Sequence, residues 1–152
     1  MPIRRDTIIT TPPVELLLAG TYSLTNNPTE IKLNEENARI TIVEDGTYIY
    51  FVQVDLVYNN CDFNGGWPTI TMYLLEDPDG EFPTIMNNSG ISYTIPNWAP
   101  GIAGGSIIIP LHTLVDNSYA GMVVVVYAGL DFLPAGGSID VVKVRIVAER
   151  LY

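Results

Sequence analysis

From Tyr48 the chain carries an apolar or aromatic residue at every second position: Tyr48, Tyr50, Val52, Val54, Leu56 and Tyr58. A period of two puts this series on one face of a β-strand. The positions between them begin apolar, with Ile49 and Phe51, and turn polar at Gln53 and Asp55. The pattern predicts a central strand of an antiparallel sheet, covered on both faces over its first half and wet on one face afterwards. A β-branched run, Ile40 to Val43, and the acidic turn Glu44-Asp45-Gly46 lead into it.

The same reading places further strands along the chain. Two short apolar pieces flank Gly20 between Val14 and Thr25, and Glu30 to Leu33 and Thr69 to Leu75 alternate. Ile91 to Ile95 follows a turn at Asn87-Asn88-Ser89-Gly90. Ser106 to Leu111 is apolar, and its Pro110 marks an edge or a bulge. Met122 to Tyr127 is a continuous apolar run, expected of a strand buried on both faces. Ile139 to Ala148 alternates, with Val142, Val144, Ile146 and Ala148 expected on one face and Lys143 and Arg145 on the other. No window of helical length keeps a 3.6-residue period. About eight strands punctuated by Asn, Gly, Pro and Asp turns predict an all-β antiparallel jelly-roll β-sandwich. Residues 1–13, closed by Pro12-Pro13, read as an N-terminal arm. Residues 14–152 read as one jelly-roll domain.

Composition adds an oligomer to this picture. A chain of 152 residues buries roughly 70% of its unfolded surface and needs no staples. Hydrophobic residues make up 47% and charged residues 16%, against an average charged share of about 25%. That surplus of apolar surface suits an interface as well as a core. The net charge is −10, which argues against a basic nucleic-acid-binding surface. The basic residues cluster toward the ends, at Arg4, Arg5, Lys32, Arg39, Lys143, Arg145 and Arg150. This reads as a solvated acidic surface or, more sharply, as a bipolar particle whose termini face a partner and whose far end faces solvent. The single Cys61 cannot form an intramolecular disulfide and suits a reducing compartment. No signal peptide or transmembrane segment is expected, since Leu16-Leu17-Leu18-Ala19 is too short to span a bilayer.

Candidate chemistry is sparse. His112 is the sole histidine and stands apart from Cys61 in sequence, so a nucleophilic dyad is not expected. Carboxylates gather at Glu35/Glu36, Glu44/Asp45 and the turn Glu76 to Glu81. The last has oxygen ligands for calcium, but not the spacing of a helix-flanked calcium loop. No Cys/His spacing supports zinc. The expectation is a non-enzyme without cofactor or metal. Trp67 and Trp98 fall in Gly/Pro-containing loops and are candidate ligand residues for stacking on a glycan or receptor.

Gly46-Thr47-Tyr48-Ile49-Tyr50-Phe51-Val52-Gln53-Val54 resembles the central strand of the tumour necrosis factor and complement globular-head superfamily. There, a glycine turn precedes a tyrosine two residues on, with aromatics following. Ile70 to Leu75 and Gly105 to Leu111 resemble later strands of the same superfamily. The sequence departs from it at His112 to Asp116, where a Gly-Asp turn is usual, and at Val141 to Tyr152, which lacks a Gly-flanked aromatic motif. The resemblance implies a homotrimer whose strand faces near the axis are aromatic. Tyr48, Tyr50 and Tyr127 are then core candidates, and Tyr58, Tyr119 and Tyr152 interface candidates. The same jelly roll is found in trimeric phage and spore surface proteins. It therefore implies a structural role on a virion surface, as a phage capsid decoration or head-fibre-like protein made in the host cytoplasm. Ile3, Arg4, Arg5, Ile8 and Ile9 of the arm are the expected contacts to the capsid or other particle protein, with neither membrane nor nucleic acid as partner. The alternative is a carbohydrate- or receptor-binding fibre tip or adhesin module, working through Trp67 and Trp98.

Overall fold

The computed structural model describes residues 12–59, 69–86, 90–94, 105–131 and 137–152, with the backbone alone at residues 59, 93–94 and 105–116. Strands, all paired antiparallel, make up the described elements, with no helix among them. A four-stranded sheet runs β1 (Val14–Ser23), β12 (Ser138–Arg150), β6 (Gly46–Asn59) and β10 (Gly105–Ser118). A six-stranded sheet is built on β11 (Val123–Leu130) and β7 (Thr69–Glu76). The short strands β2 (Thr29–Glu30) and β5 (Arg39–Thr41) flank β11, while β8 (Thr84–Ile85) and β9 (Ile91–Thr94) flank β7. A small hairpin joins β3 (Lys32–Leu33) to β4 (Glu36–Asn37).

The twelve strands exceed the eight expected from sequence because five of them hold only two or three residues, too few to show a period. β6 is the longest of the central strands and lies between β12 and β10. Its even series, Tyr48 to Tyr58, is buried throughout and joins one core with Ile70, Met72 and Leu74 of β7 and Val124, Val126 and Ala128 of β11. The phenols of Tyr48 and Tyr50 are both satisfied. Tyr48 donates to the Glu44 carbonyl at 2.9 Å, and Tyr50 shares a 2.5 Å hydrogen bond with the buried Ser118 hydroxyl. Pro110 sits on β10, at the edge of its sheet, where its missing N–H costs nothing.

Three sequence expectations are corrected. In β12 the ladder to β6 shifts register between Val141 and Lys143. The bulge moves Val142 out of phase, so the core series reads Ile139, Val141, Val144, Ile146 and Ala148. Tyr127 is only half-buried and lies outside the core, stacked on Tyr73 with ring centroids 5.6 Å apart. Burial first, then the Glu30 carboxylate and Tyr73, push its phenol above the ordinary value. Tyr58, expected at an interface, ends the inward series of β6 and packs in the core.

Asn34 (φ 51°) and Glu35 (φ 71°) form the two-residue connection between β3 and β4. Positive φ at both central positions is the type I′ hairpin geometry. A left-handed backbone costs a non-glycine residue about 1 kcal/mol or more, while glycine adds entropy to the unfolded chain. Glu35→Gly is therefore expected to stabilise the domain by about 0.5 kcal/mol, read as a raised Tm in thermal unfolding. A lowered Tm would show that the glutamate side chain contributes more than its backbone strain costs.

Candidate interaction surface

The outward face of the four-stranded sheet is assembled from positions alternate to the core series. Register aligns its rows across the strands. Glu15, Val147, Phe51 and His112 stand in one row, and Leu17, Arg145, Gln53 and Pro110 in the next. Ala19, Lys143, Asp55 and Ile108 follow. Phe51 is 46% exposed and Leu17 62% exposed, with Ile49 and Val147 half-buried beside Phe51. Gln53 donates to the Asp55 carboxylate at 3.1 Å.

The sequence pattern had both faces of β6 covered at Ile49 and Phe51. Among the described residues only the inward face has a second layer, and Phe51 is 46% exposed in mid-sheet. On this face Phe51 has Ile49 and Gln53 as its neighbours along the strand, and Val147 and His112 opposite it in register. Lys143 and Arg145 stand on this same face, so these two basic residues lie across mid-sheet and not at one pole.

A second feature lies at the end of the sandwich, where β10 crosses to β11. The turn after β7 and the residues following β10 enclose a concavity of about 420 Å³. Asp77, Asp79, Glu81, Phe82, Tyr119 and Val123 line it. Asp77 adopts a left-handed backbone (φ 51°), and its carboxylate accepts from the Tyr119 hydroxyl and, at 3.3 Å, from the Val123 N–H. Arg39 braces the wall from outside. It makes a two-pronged contact to Glu30 at 2.7 and 2.6 Å and reaches Asp79 at 2.7 Å. Burial alone would lower the Arg39 pKa, but its hydrogen bonds to Asp79 and Glu30 outweigh that and raise it. Phe82 is 78% exposed at the rim. Among the described residues, no three His, Cys, Asp or Glu side chains converge to hold a metal ion. Within the Glu76 to Glu81 turn, Asp77 and Asp79 go to separate partners, Tyr119 and Arg39.

No protein-family model and no curated protein matches this sequence. Solved structures do match its shape. The Eiger tumour necrosis factor from S. frugiperda superposes at a TM-score of 0.54 with 13% identity, over 92% of each chain. The fold is a tumour-necrosis-factor-like jelly roll. Murine APRIL at pH 5.0 aligns over 91% of this chain and all of its own, with a TM-score of 0.47 and 14% identity. At such identities the likeness is one of fold, and the jelly roll carries no assignment of ligand or receptor with it.

The TNF-like frame sorts the remaining sequence candidates. Tyr119 and Tyr152 are exposed, both at the end of the sandwich that holds the concavity. Tyr152 accepts through its carbonyl from the Thr47 N–H at 2.7 Å, which ties the last residues to the start of β6. Ile3, Arg4, Arg5, Ile8 and Ile9, together with Cys61, Trp67 and Trp98, lie outside the described residues. His112 is placed only by its register opposite Phe51. Sequence reasoning singled out tyrosines and missed Phe51, Leu17 and Val147 as surface residues. The signal was present in the odd positions of β6, which were read as covered over the first half of the strand without a source for the cover. No helix among the described residues is long and apolar enough to cross a membrane.

Proposed function

We propose that this chain is a non-enzymatic structural module that assembles as a homotrimer through the outward face of its four-stranded sheet. It is displayed on the exterior of a larger particle, most simply a phage virion, as a capsid decoration or head-fibre-like protein. The observation that carries the assembly is the exposed Phe51 at mid-sheet, with Val147 beside it and Leu17 exposed in the next row. A half-covered central strand is completed when a second copy supplies the missing layer, and burying these residues removes Phe51, Leu17 and Val147 from water at about 25 cal/mol per Å². Three copies rather than two follow the trimeric habit that the TNF-like resemblance implies.

The particle end of the reading rests on charge and chain layout. With a net charge of −10, the chain stays soluble and avoids non-specific association. The arm, residues 1–13, carries Arg4 and Arg5 beside Ile3, Ile8 and Ile9 and supplies the docking contacts. Three arms on one trimer bind with avidity beyond any single arm. Deleting Met1 to Pro13 is expected to abolish particle binding while the trimer remains folded. Binding that survives the deletion would remove the docking role from the arm.

A further inference from the structure

The concavity at the end of the sandwich combines two properties that seldom stand open together. Its rim bears the carboxylate of Glu81 and that of Asp79, which is exposed although Arg39 also contacts it, and its lip exposes Phe82 and Tyr119. An acidic pocket with an aromatic lip fits a short basic and aliphatic peptide, because guanidinium groups pair with carboxylates and stack on aromatic faces. The chain itself carries such a segment. Ile3-Arg4-Arg5 has one aliphatic and two basic residues in succession, and Ile8-Ile9 follows.

Topology puts that segment within reach. Val14 pairs with Ala148, and Arg150 pairs with Tyr48. Ser118 pairs with Gly46 and directly precedes Tyr119. Pro12 and Pro13 therefore leave β1 at the end of the sandwich that holds the concavity. From there β1 packs across onto β5, β5 pairs with β11 through Thr41 and Val123, and Asp77 donates its N–H to the Val123 carbonyl at 2.8 Å. One sheet-to-sheet spacing of about 10 Å and two strand spacings of about 4.8 Å put the rim roughly 20 Å from Pro12. Arg5 precedes Pro12 by seven residues, a reach of about 23 Å at ~3.3 Å per residue. Arg4 and Ile3 reach further. Val43 stands exposed just past β5.

We propose that residues 3–9 dock in this concavity of their own chain, with Arg4 and Arg5 on the Asp79 and Glu81 carboxylates and Ile3 against Phe82. Ile8 and Ile9 cross the end of the sandwich over Val43. The contact does not depend on the trimer or the particle. Only its consequence rests on the role proposed above: the concavity holds the arm until a particle competes for it, which guards three sticky segments against premature association.

Hydrogen exchange on the full-length chain tests this, since docked amides exchange slowly and undocked ones do not. Amides of residues 3–9 are expected to exchange at least about tenfold slower than an unstructured peptide, independently of protein concentration and faster at high salt. Glu81→Lys combined with Phe82→Ala is expected to abolish the slowing without changing the assembly mass. Glu81→Arg paired with Arg5→Glu is expected to restore it where Glu81→Arg alone does not. Unprotected arm amides in the natural chain, protection untouched by Glu81→Lys/Phe82→Ala, or protection that vanishes on dilution would each overturn the proposal. Failure of the trimer reading shows separately, as a monomeric mass with the arm still protected.

Discussion

Phe51→Glu is expected to turn the assembled protein into a folded monomer. Phe51 sits mid-strand on β6, between β12 and β10, and its side chain points away from the core. The substitution therefore leaves every core contact in place. It sets a carboxylate in a row already holding Glu15, in the centre of the face assigned to the partner copies. A buried aromatic anchor contributes about 2 kcal/mol or more to an interface, roughly a 30-fold loss at each copy of the contact. An unpaired buried charge adds several kcal/mol more. Light scattering reads the loss of mass, and circular dichroism reads the retained strands. A variant that keeps the parental mass would show that the interface lies elsewhere.

Val141→Asp and Val142→Asp are expected to differ as unfolded and folded. Adjacent valines look equivalent in sequence, and alternation from the C-terminal half of β12 assigns the core position to Val142. The bulge reverses this. Val141 is fully buried beside Ile139 and Val144, whereas Val142 is half-exposed. Desolvating an unpaired carboxylate at Val141 costs at least several kcal/mol, comparable to the roughly 5–15 kcal/mol by which a domain is stable. Thermal unfolding followed by circular dichroism separates the two variants. A cooperative transition for Val141→Asp, together with an unfolded Val142→Asp, would place the bulge wrongly.

What was legible in the sequence follows from how each element is encoded. β6 and β7 alternate without interruption, so period alone put Tyr48 to Tyr58 on one strand face and Ile70, Met72 and Leu74 on another, and in the structure both of these faces line the core. The jelly roll followed from strand count, turns and the Gly46 to Val54 resemblance. A bulge shifts phase without changing residue type, so Val142 was misplaced. Tyrosine identity does not encode orientation either. Tyr50 finds Ser118 and is buried, Tyr127 finds Tyr73 and stays at the surface, and Tyr58 closes the core. The concavity was invisible for another reason. It joins the turn 77–82 to Tyr119 and Val123, segments about forty residues apart in sequence that only the β7–β11 pairing brings together. The uncovered face was half-read: Ile49 and Phe51 were recognised as covered positions, but alternation cannot say which chain provides the cover.

That last point is where the account stands or falls, and the mass of the natural protein in solution decides it. Light scattering at micromolar concentration is expected to give about 50 kDa, three copies of a 16.7 kDa chain. A single species at 16.7 kDa, with the β-sheet signature intact, would contradict it, because the Phe51 face would then be stable in water without a partner.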